Sequence, residues 1–486
     1  MPTPTMESYY MWVVALLLIA LSLKYLPAYL SPPTNDKASD SDAAEPLTMS
    51  GAQRKEEDAE HDAVKLKEFA HFQKFYIVIF LLVMLADWMQ GPYVYKLYAS
   101  YGIDTREIAI LFVIGFGTSG ITGAFIGSFA DKFGRKFMCS SFCVLYAICC
   151  ATKHFHDYSI LLLGRFLGGI STSILFSCFE SWMVTHHHHR GYPANKLGDT
   201  FGKAWSLNSF IAILAGIITS YAVSYYEHHE IIAGGPYEIA AFDCSAVTLL
   251  VALLMINLKW RQENYGDSKV DLQQSLTNAL DLFRSDRCIV LVGVIQSGFE
   301  AAMYLFVFMW TMALESTHSA NEAVDGEDSG GSKGIDHGMI FAVFMEACLV
   351  GTTLTGILTK SWSSEKIACW LCLIAGVALL YTPFTNNYEV RLLMFIVFEC
   401  CVGMYFPTIG SLRGQYVPDN LRATIMNIFR IPLNVIVVAV LWYIDELGLK
   451  NVFLLAAALL GVACFASHVL SRYTSAQRKE PQANGH

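Results

Sequence analysis

With 486 residues the chain has length enough for several soluble domains, but 54% of it is hydrophobic, 13% aromatic and only 15% charged. That balance, with a mean hydropathy of +0.42, excludes a soluble surface and marks a membrane protein. The net charge of −9 comes with no basic face of any size, which excludes nucleic acid as a partner.

A helix needs about 20 apolar residues to cross roughly 30 Å of hydrocarbon. Runs of that kind lie near 10–30, 75–99, 107–130, 137–153, 159–184, 202–226, 239–258, 288–313, 338–360, 366–384, 391–412, 423–444 and 451–471. In lipid the backbone must satisfy its own hydrogen bonds, and these runs lack the alternation of barrel strands, so the expected fold class is an all-α membrane protein.

The first run follows ten residues without Lys or Arg. A cleaved signal would start with positive charge, so residues 1–30 are read as an additional, retained N-terminal transmembrane helix with its terminus outside. Residues 31–58 are polar and Pro-bearing, the composition of a disordered cytosolic linker. Val64, Phe69, Phe72 and Phe75 among Lys65, Lys67 and Lys74 suggest a short interfacial helix, which completes a segment 31–74. A six-helix lobe over 75–258 is expected next, then a cytosolic linker at 259–287, a second six-helix lobe over 288–472 and a cytosolic tail at 473–486. In the linker, Leu272, Leu276, Ala279, Leu280 and Phe283 fall at helical spacing. Six helices, a linker and six more outline a two-lobed transporter with a site between the lobes near the midplane. Lys and Arg collect in alternate connections: Lys132, Arg135 and Lys136; Arg190 and Lys196; Lys259, Arg261 and Lys269; Arg472, Arg478 and Lys479. Those sides face the cytosol, and so does the C-terminus.

In the third run Gly123 and Gly127 stand four apart, a spacing that lets helices approach closely. The connection that follows reads GSFADKFGRK. A plain positive-inside loop would explain Lys132, Arg135 and Lys136, but neither Asp131 nor the glycine spacing of Gly127 and Gly134. Asp131 can pair with a basic group and approach a helix N-terminus, and Gly134 permits a sharp return. Two helices on, LLLGRFLGGISTS sets Arg165 inside an apolar run, where a charge is expensive and normally faces a cavity or a partner.

These residues carry a resemblance. Gly127, Asp131, Lys132, Gly134, Arg135 and Lys136 match the signature loop of the major facilitator superfamily at every position, and Leu161, Arg165 and Gly169 match its fourth-helix motif. The resemblance implies a major facilitator fold, alternating access, and a role for the loop as a cytosolic gate. The corresponding stretch of the second half, GILTKSWSSEK, keeps Gly356 but lacks the Asp and the later Gly, so the gate is expected to be asymmetric. Within the superfamily, the additional N-terminal helix and the stretches LADWMQGPYVYKLYASYG, FLGGISTSILFSCFESWMV and YVPDNLRATIMNIFRIPLN resemble the eukaryotic molybdate-anion transporter family. That implies a secondary transporter importing molybdate or a related oxyanion across the cell membrane.

Ionisable residues at membrane depth are the first candidates for such work. A tetrahedral dianion needs positive charge and directional donors, for which Arg165 and Arg430 offer guanidinium forks, Lys203 a further cation, and Asn208, Tyr304 and Asn434 hydrogen bonds. Asp87, Glu300, Glu346 and Glu399 are the candidates for charge pairs or for binding accompanying protons, with Glu180 nearer the cytosolic end. Each arginine equally suits the reading of a buried partner for one of these acids. His186–His189 read as a solvated cytosolic linker rather than a metal site, since four adjacent histidines cannot face one ion from a regular helix. Cys369 and Cys372, like most of the thirteen cysteines, read as packing residues in an apolar run. Trp88, Trp205 and Trp310 read as packing residues too. No Walker loop or nucleophile elbow occurs, so neither a cofactor nor enzyme chemistry is expected, and gradients would drive any transport. A carrier of sugars or organic cations, and a non-transporting receptor or scaffold of the same fold, are the competing readings.

Overall fold

In a computed structural model of the chain, the described residues are 15, 16, 19, 49–123, 125–193, 195–260, 264, 265, 281–325, 335–418 and 422–477. They include fourteen α-helices and three 3₁₀ turns, and no strand. In chain order these are α1 Met49–Gln90, α2 Val94–Ser100, α3 Thr105–Gly123, α4 Ile126–Phe133, α5 Arg135–Ala151, α6 Tyr158–His189 and α7 Asn195–His228. Then follow α8 Ile239–Lys259, α9 Arg287–Asp325, α10 His337–Leu358, α11 Ser364–Tyr381, α12 Tyr388–Tyr416, α13 Arg422–Trp442 and α14 Ile444–Gln477. Eleven helical stretches among the described residues are long and apolar enough to cross a membrane, and α13 adds a shorter apolar stretch, Ile428–Trp442. The chain is a multi-pass, all-helical membrane protein.

Local chemistry sets the helix ends. The 42-residue α1 ends where Gly91 and Pro92 open a 3₁₀ turn, because proline lacks an amide donor. Asp157 caps α6 by accepting from the amides of Ser159 and Ile160 at 2.9 and 3.1 Å. Asp336 caps α10 through Met339 N at 3.0 Å, and Asn387 caps α12 through Val390 N at 3.2 Å.

Three sequence expectations change here. Residues 49–58, read as the end of a disordered linker, belong to α1, and the expected interfacial helix is the middle of that same helix. Between Ala52 and Leu66 the chain is rich in Ala, Glu, Lys and Gln and free of Pro and Gly, so helix propensity accumulates in spite of polarity. The run at 107–130 is two helices, since α3 stops at Gly123 and α4 starts at Ile126. Helix α14 continues through Gln477, past the expected start of the tail. Apart from residues 15, 16 and 19, the expected helix at 10–30 lies outside the described residues, as do linker residues 31–48 and the amphipathic positions Leu272–Leu280.

Helix α1 packs on α7 and α8, α5 on α6 and α8, and α3 on α6. In the second half α9 packs on α12, α13 and α14, α10 on α12, and α11 on α12 and α14. One apolar core lies within the first half around Phe142, Phe179, Trp182 and Phe242, and a second, around Phe299, Phe306, Phe344 and Phe398, also takes in Tyr98, Phe112 and Leu161 of the first half. Trp182 of α6 stacks nearly parallel on Trp260, just past α8, with ring centroids 3.5 Å apart. The halves meet along two seams, α3 against α13 and α7 against α10.

Candidate functional site

Helices α4 and α5 meet at the 127–136 loop. Gly134 sits at φ +94°, a conformation that side chains with a Cβ rarely adopt, and a Cβ there would lie 2.1 Å from Asn264. Asn264 closes over the turn: its Nδ2 donates to Phe133 O at 2.9 Å, and its Oδ1 accepts from Phe137 N at 3.0 Å. Arg135 N donates to Tyr265 O at 3.0 Å, and the Arg135 guanidinium donates to the Thr185 hydroxyl at the end of α6. Lys132 is exposed, with Nζ 5.4 Å from the centre of the Phe133 ring. The loop thus ties the ends of α4, α5, α6 and α8 on one face of the bundle. Gly127 is exposed and Lys136 half-buried, while the Asp131 side chain lies outside the described residues.

On the α3–α13 seam, small residues bring polar groups together. A Cβ at Gly120 would lie 2.6 Å from Asn434 Nδ2, and one at Gly123 would lie 3.8 Å from Ser173 Oγ and 4.0 Å from an Arg430 terminal nitrogen. Ser173 Oγ donates to Ser119 O at 2.8 Å and sits 2.8 Å from Thr122 Oγ1 and 3.3 Å from Ser119 Oγ. Arg430, on the exposed side of α13, makes no ion pair among the described residues. Tyr304 stacks on Phe116 of α3 with centroids 4.9 Å apart. One guanidinium, three hydroxyls, an amide and a phenol therefore line one stretch of wall shared by the two halves.

Arg165 occupies another level. Its Nε donates to Leu111 O at 3.1 Å, its guanidinium covers Phe112 at 4.8 Å, and Gly115 makes room for it. From Gly115 to Gly123 α3 rises about 12 Å, so the two arginines do not meet around one small anion in this conformation. Lys203 and Asn208 are elsewhere: Lys203 Nζ donates to Gln73 Oε1 at 3.2 Å, and Asn208 Oδ1 accepts from Trp88 Nε1 at 3.1 Å.

The deep acids have partners that spacing did not reveal. Glu300 Oε1 accepts from Tyr405 OH at 2.9 Å and from Arg413 at 3.2 Å, and Arg413 Nε donates to Gln296 at 3.0 Å. Arg413 falls one residue past the apolar run at 391–412, so depth counting from the sequence passes over it. Asp87 Oδ1 accepts from Tyr146 OH at 2.7 Å, and Glu399 lies 3.1 Å from the Cys348 thiol. Glu346 is 2% exposed, with one carboxyl oxygen lacking any hydrogen-bond partner. Neither Arg165 nor Arg430 pairs with any of these acids.

At the opposite face the halves are closed. Lys96 Nζ lies 2.7 Å from Glu315 Oε1, which His337 Nε2 also approaches at 3.3 Å. Ser220 donates to Asp336 at 2.5 Å, and Gly338 N donates to Tyr93 OH at 3.1 Å. Gly216 and Gly338 let α7 and α10 touch backbone to backbone, since a Cβ on either would come within 2.6 Å of the other helix.

The histidine run is not a linker, and only His188 and His189 of it are exposed. It forms the last turn of α6, with His187 fully buried and His186 5% exposed. His186 stacks on Phe72 at 4.2 Å, and His187 meets Phe69 edge-on at 5.6 Å. Aromatic neighbours over a hundred positions away supply that burial. No group of three or more His, Cys, Asp or Glu side chains placed to hold a metal ion occurs among the described residues. Cys369 lies 3.7 Å from Cys464, and both are free thiols.

Comparison with known proteins agrees with this architecture. A family of sugar transporters with 12 transmembrane helices matches residues 48–395. A molybdate-anion transporter of Xenopus laevis is 32% identical over 447 residues, covering 88% of this chain and 93% of the relative. One from Takifugu rubripes is 30% identical over 399 residues, covering 76% and 78%. Among solved structures, a POT family transporter with 5-aminolevulinic acid superposes with a TM-score of 0.63 at 12% identity, over 84% of this chain and 96% of that one. A D-xylose–proton symporter gives 0.58 at 13% identity over 82% and 96%, and both likenesses concern the fold alone. The chain is a membrane transporter and not an enzyme, and it belongs to the molybdate-anion transporter family of the major facilitator superfamily.

Proposed function

We propose that the chain imports molybdate, or a closely related tetrahedral oxyanion, across the cell membrane by alternating access of a site on the α3–α13 seam. The observation that carries this reading is Arg430. It is a cation without a carboxylate partner among the described residues, and its terminal nitrogen and Ser173 Oγ both lie within 4.0 Å of where a Gly123 Cβ would stand, with Asn434 one turn on along α13 against Gly120, on a wall that both halves build. A guanidinium fork with hydroxyl donors matches an oxyanion in charge and direction. Arg165, about two turns along, is the second contact once the halves rock and the wall shortens.

The 127–136 loop is the cytosolic gate in this proposal, with Asp131 completing an ion cluster that forms when the other face opens. The excess of Lys and Arg in that loop and near the C-terminus supports a cytosolic placement for both. The closed Lys96–Glu315 face is then external, and the conformation is open to the cytosol. Glu346 and Glu399, buried without cationic partners among the described residues, are the proton-binding candidates. The family description of sugar transporters favours an uncharged substrate instead, but such a substrate gives Arg430 nothing to neutralise.

Uptake of radiolabelled molybdate into cells expressing the chain tests the proposal, with sulfate and an uncharged sugar as competitors and the external pH varied. Molybdate accumulation that sulfate reduces and sugar does not is the expected result. Competition by the sugar alone, or no accumulation at normal surface expression, would overturn it. A rate unaffected by pH would remove the protons while leaving the anion.

A further inference from the structure

A second positively charged cavity, unconnected with the α3–α13 seam, opens at the face opposite the 127–136 loop. Its volume is about 250 Å³, ample for a small hydrated ion. Ser316 and Thr317 of α9, Asn386, Arg391 of α12, and Lys450 and Phe453 of α14 line it.

Arg391 is the unusual member. It is 8% exposed, yet every acceptor around its guanidinium is neutral. One terminal nitrogen donates to Ala313 O at 2.9 Å and to the Thr317 hydroxyl, and the other donates to Thr382 O at 3.5 Å and Thr385 O at 2.5 Å. The Nε is buried with no partner at all. No carboxylate pairs with Arg391 or Lys450 among the described residues, although Glu389, Asp445 and Glu446 are close in sequence. A buried cation without a counter-charge is costly, and proteins normally pair it.

The chain around Lys450 keeps its charge available. Gly448 breaks α14 at φ 67°, ψ 159°, so Glu446 does not stand one helical turn below Lys450. Leu449 and Lys450 begin the straight part of the helix, whose positive end is turned to the cavity they line. Lys450 Nζ rests over the Phe384 ring at 5.1 Å. Two cations, a helix start, and the polar Ser316 and Asn386 therefore surround a space with no negative charge among the described residues.

We infer that this cavity binds a tetrahedral oxyanion, which supplies the counter-charge that Arg391 lacks and is held by Lys450, Ser316 and Asn386. Free sulfate or phosphate and the phosphate of a lipid headgroup share that chemistry. The site is independent of the transport reading, since it uses none of the residues on the α3–α13 seam.

The test is equilibrium dialysis of [³⁵S]sulfate against the purified full chain in an uncharged detergent, carrying Arg430→Ala so that the seam does not contribute. Saturable binding is expected, weakened about tenfold by Lys450→Ala, the loss of one charge-assisted hydrogen bond, and restored by Lys450→Arg. Lys450 is exposed, so its replacement leaves folding intact. Displacement of sulfate by inorganic phosphate and by short-chain phosphatidate at equal concentrations assigns a free anion, and displacement by phosphatidate far more strongly assigns a lipid headgroup. Absence of saturable sulfate binding, or binding that Lys450→Ala leaves unchanged, would overturn the inference. Neither result bears on molybdate uptake, which fails or succeeds through Arg430.

Discussion

Replacing Gly338 with Ala should pry the two halves apart where they are now sealed. A Cβ at this position would stand 2.6 Å from Gly216 O and 2.8 Å from both Ser220 N and Tyr93 OH. Two of those atoms are backbone, which cannot swing aside. To bring the closest pair from 2.6 Å to ordinary contact at 3.4 Å, α7 and α10 must separate by about 0.8 Å. Overpacking on this scale costs about 1–3 kcal/mol. At 1.4 kcal/mol per tenfold, the ratio of closed to open at this face falls about 5- to 150-fold. The native Lys96–Glu315 pair, at 2.7 Å, reports the closed state through a zero-length carbodiimide cross-link quantified by mass spectrometry. Gly356→Ala is the control, because nothing lies within 4 Å of a Cβ there. A cross-link yield equal to wild type in folded Gly338→Ala protein would refute the claim that this backbone contact holds the face shut.

Three further outcomes follow from the geometry. Arg413→Ala strands Glu300 at 11% exposure with Tyr405 alone, and should lower unfolding stability by about 3 kcal/mol; adding Glu300→Gln should recover most of it, and purified-protein melting curves would show an absence of recovery. Gly134→Ala combines a φ of +94° with a 2.1 Å approach to Asn264, and should cost about 1–3 kcal/mol in strain. Adding Asn264→Ala should relieve the contact and leave the backbone strain, so complete rescue of turnover would assign the whole effect to the contact. Asp131→Asn should slow maximal molybdate uptake while leaving half-saturation nearly unchanged, and an unaltered maximal rate would remove the gate reading of the loop.

What the sequence discloses and what it hides divide along physical lines. Lipid forces each spanning segment to satisfy its own backbone, so apolar runs announce helices one at a time, and every run from 75 onward contains one. Gly134 is legible for the same reason of locality, because a sharp turn between two helices needs a positive φ. The interruption at Phe125 is not legible, since an apolar run reads the same whether or not the helix stops within it. Nor is the Glu300–Arg413 pair, whose members stand 113 residues apart. His186 and His187 look like a polar linker until Phe69 and Phe72 arrive from the opposite end of the same half. Arg165 and Arg430 were visible as deep charges, but the level each occupies depends on which glycine of α3 faces it. The closure by Lys96, Glu315 and His337 was equally hidden, because charges near helix ends do not reveal which of them meet.

The central claim is that Arg430 holds an oxyanion between the two halves. Purified chain reconstituted into liposomes allows the initial rate of radiolabelled molybdate entry to be compared for wild type, Arg430→Ala and Arg430→Lys at equal protein content. The account predicts rapid entry for wild type, at least a hundredfold loss for Arg430→Ala, and partial retention for Arg430→Lys, which keeps the charge but not the fork. Wild-type rates in Arg430→Ala liposomes would contradict it.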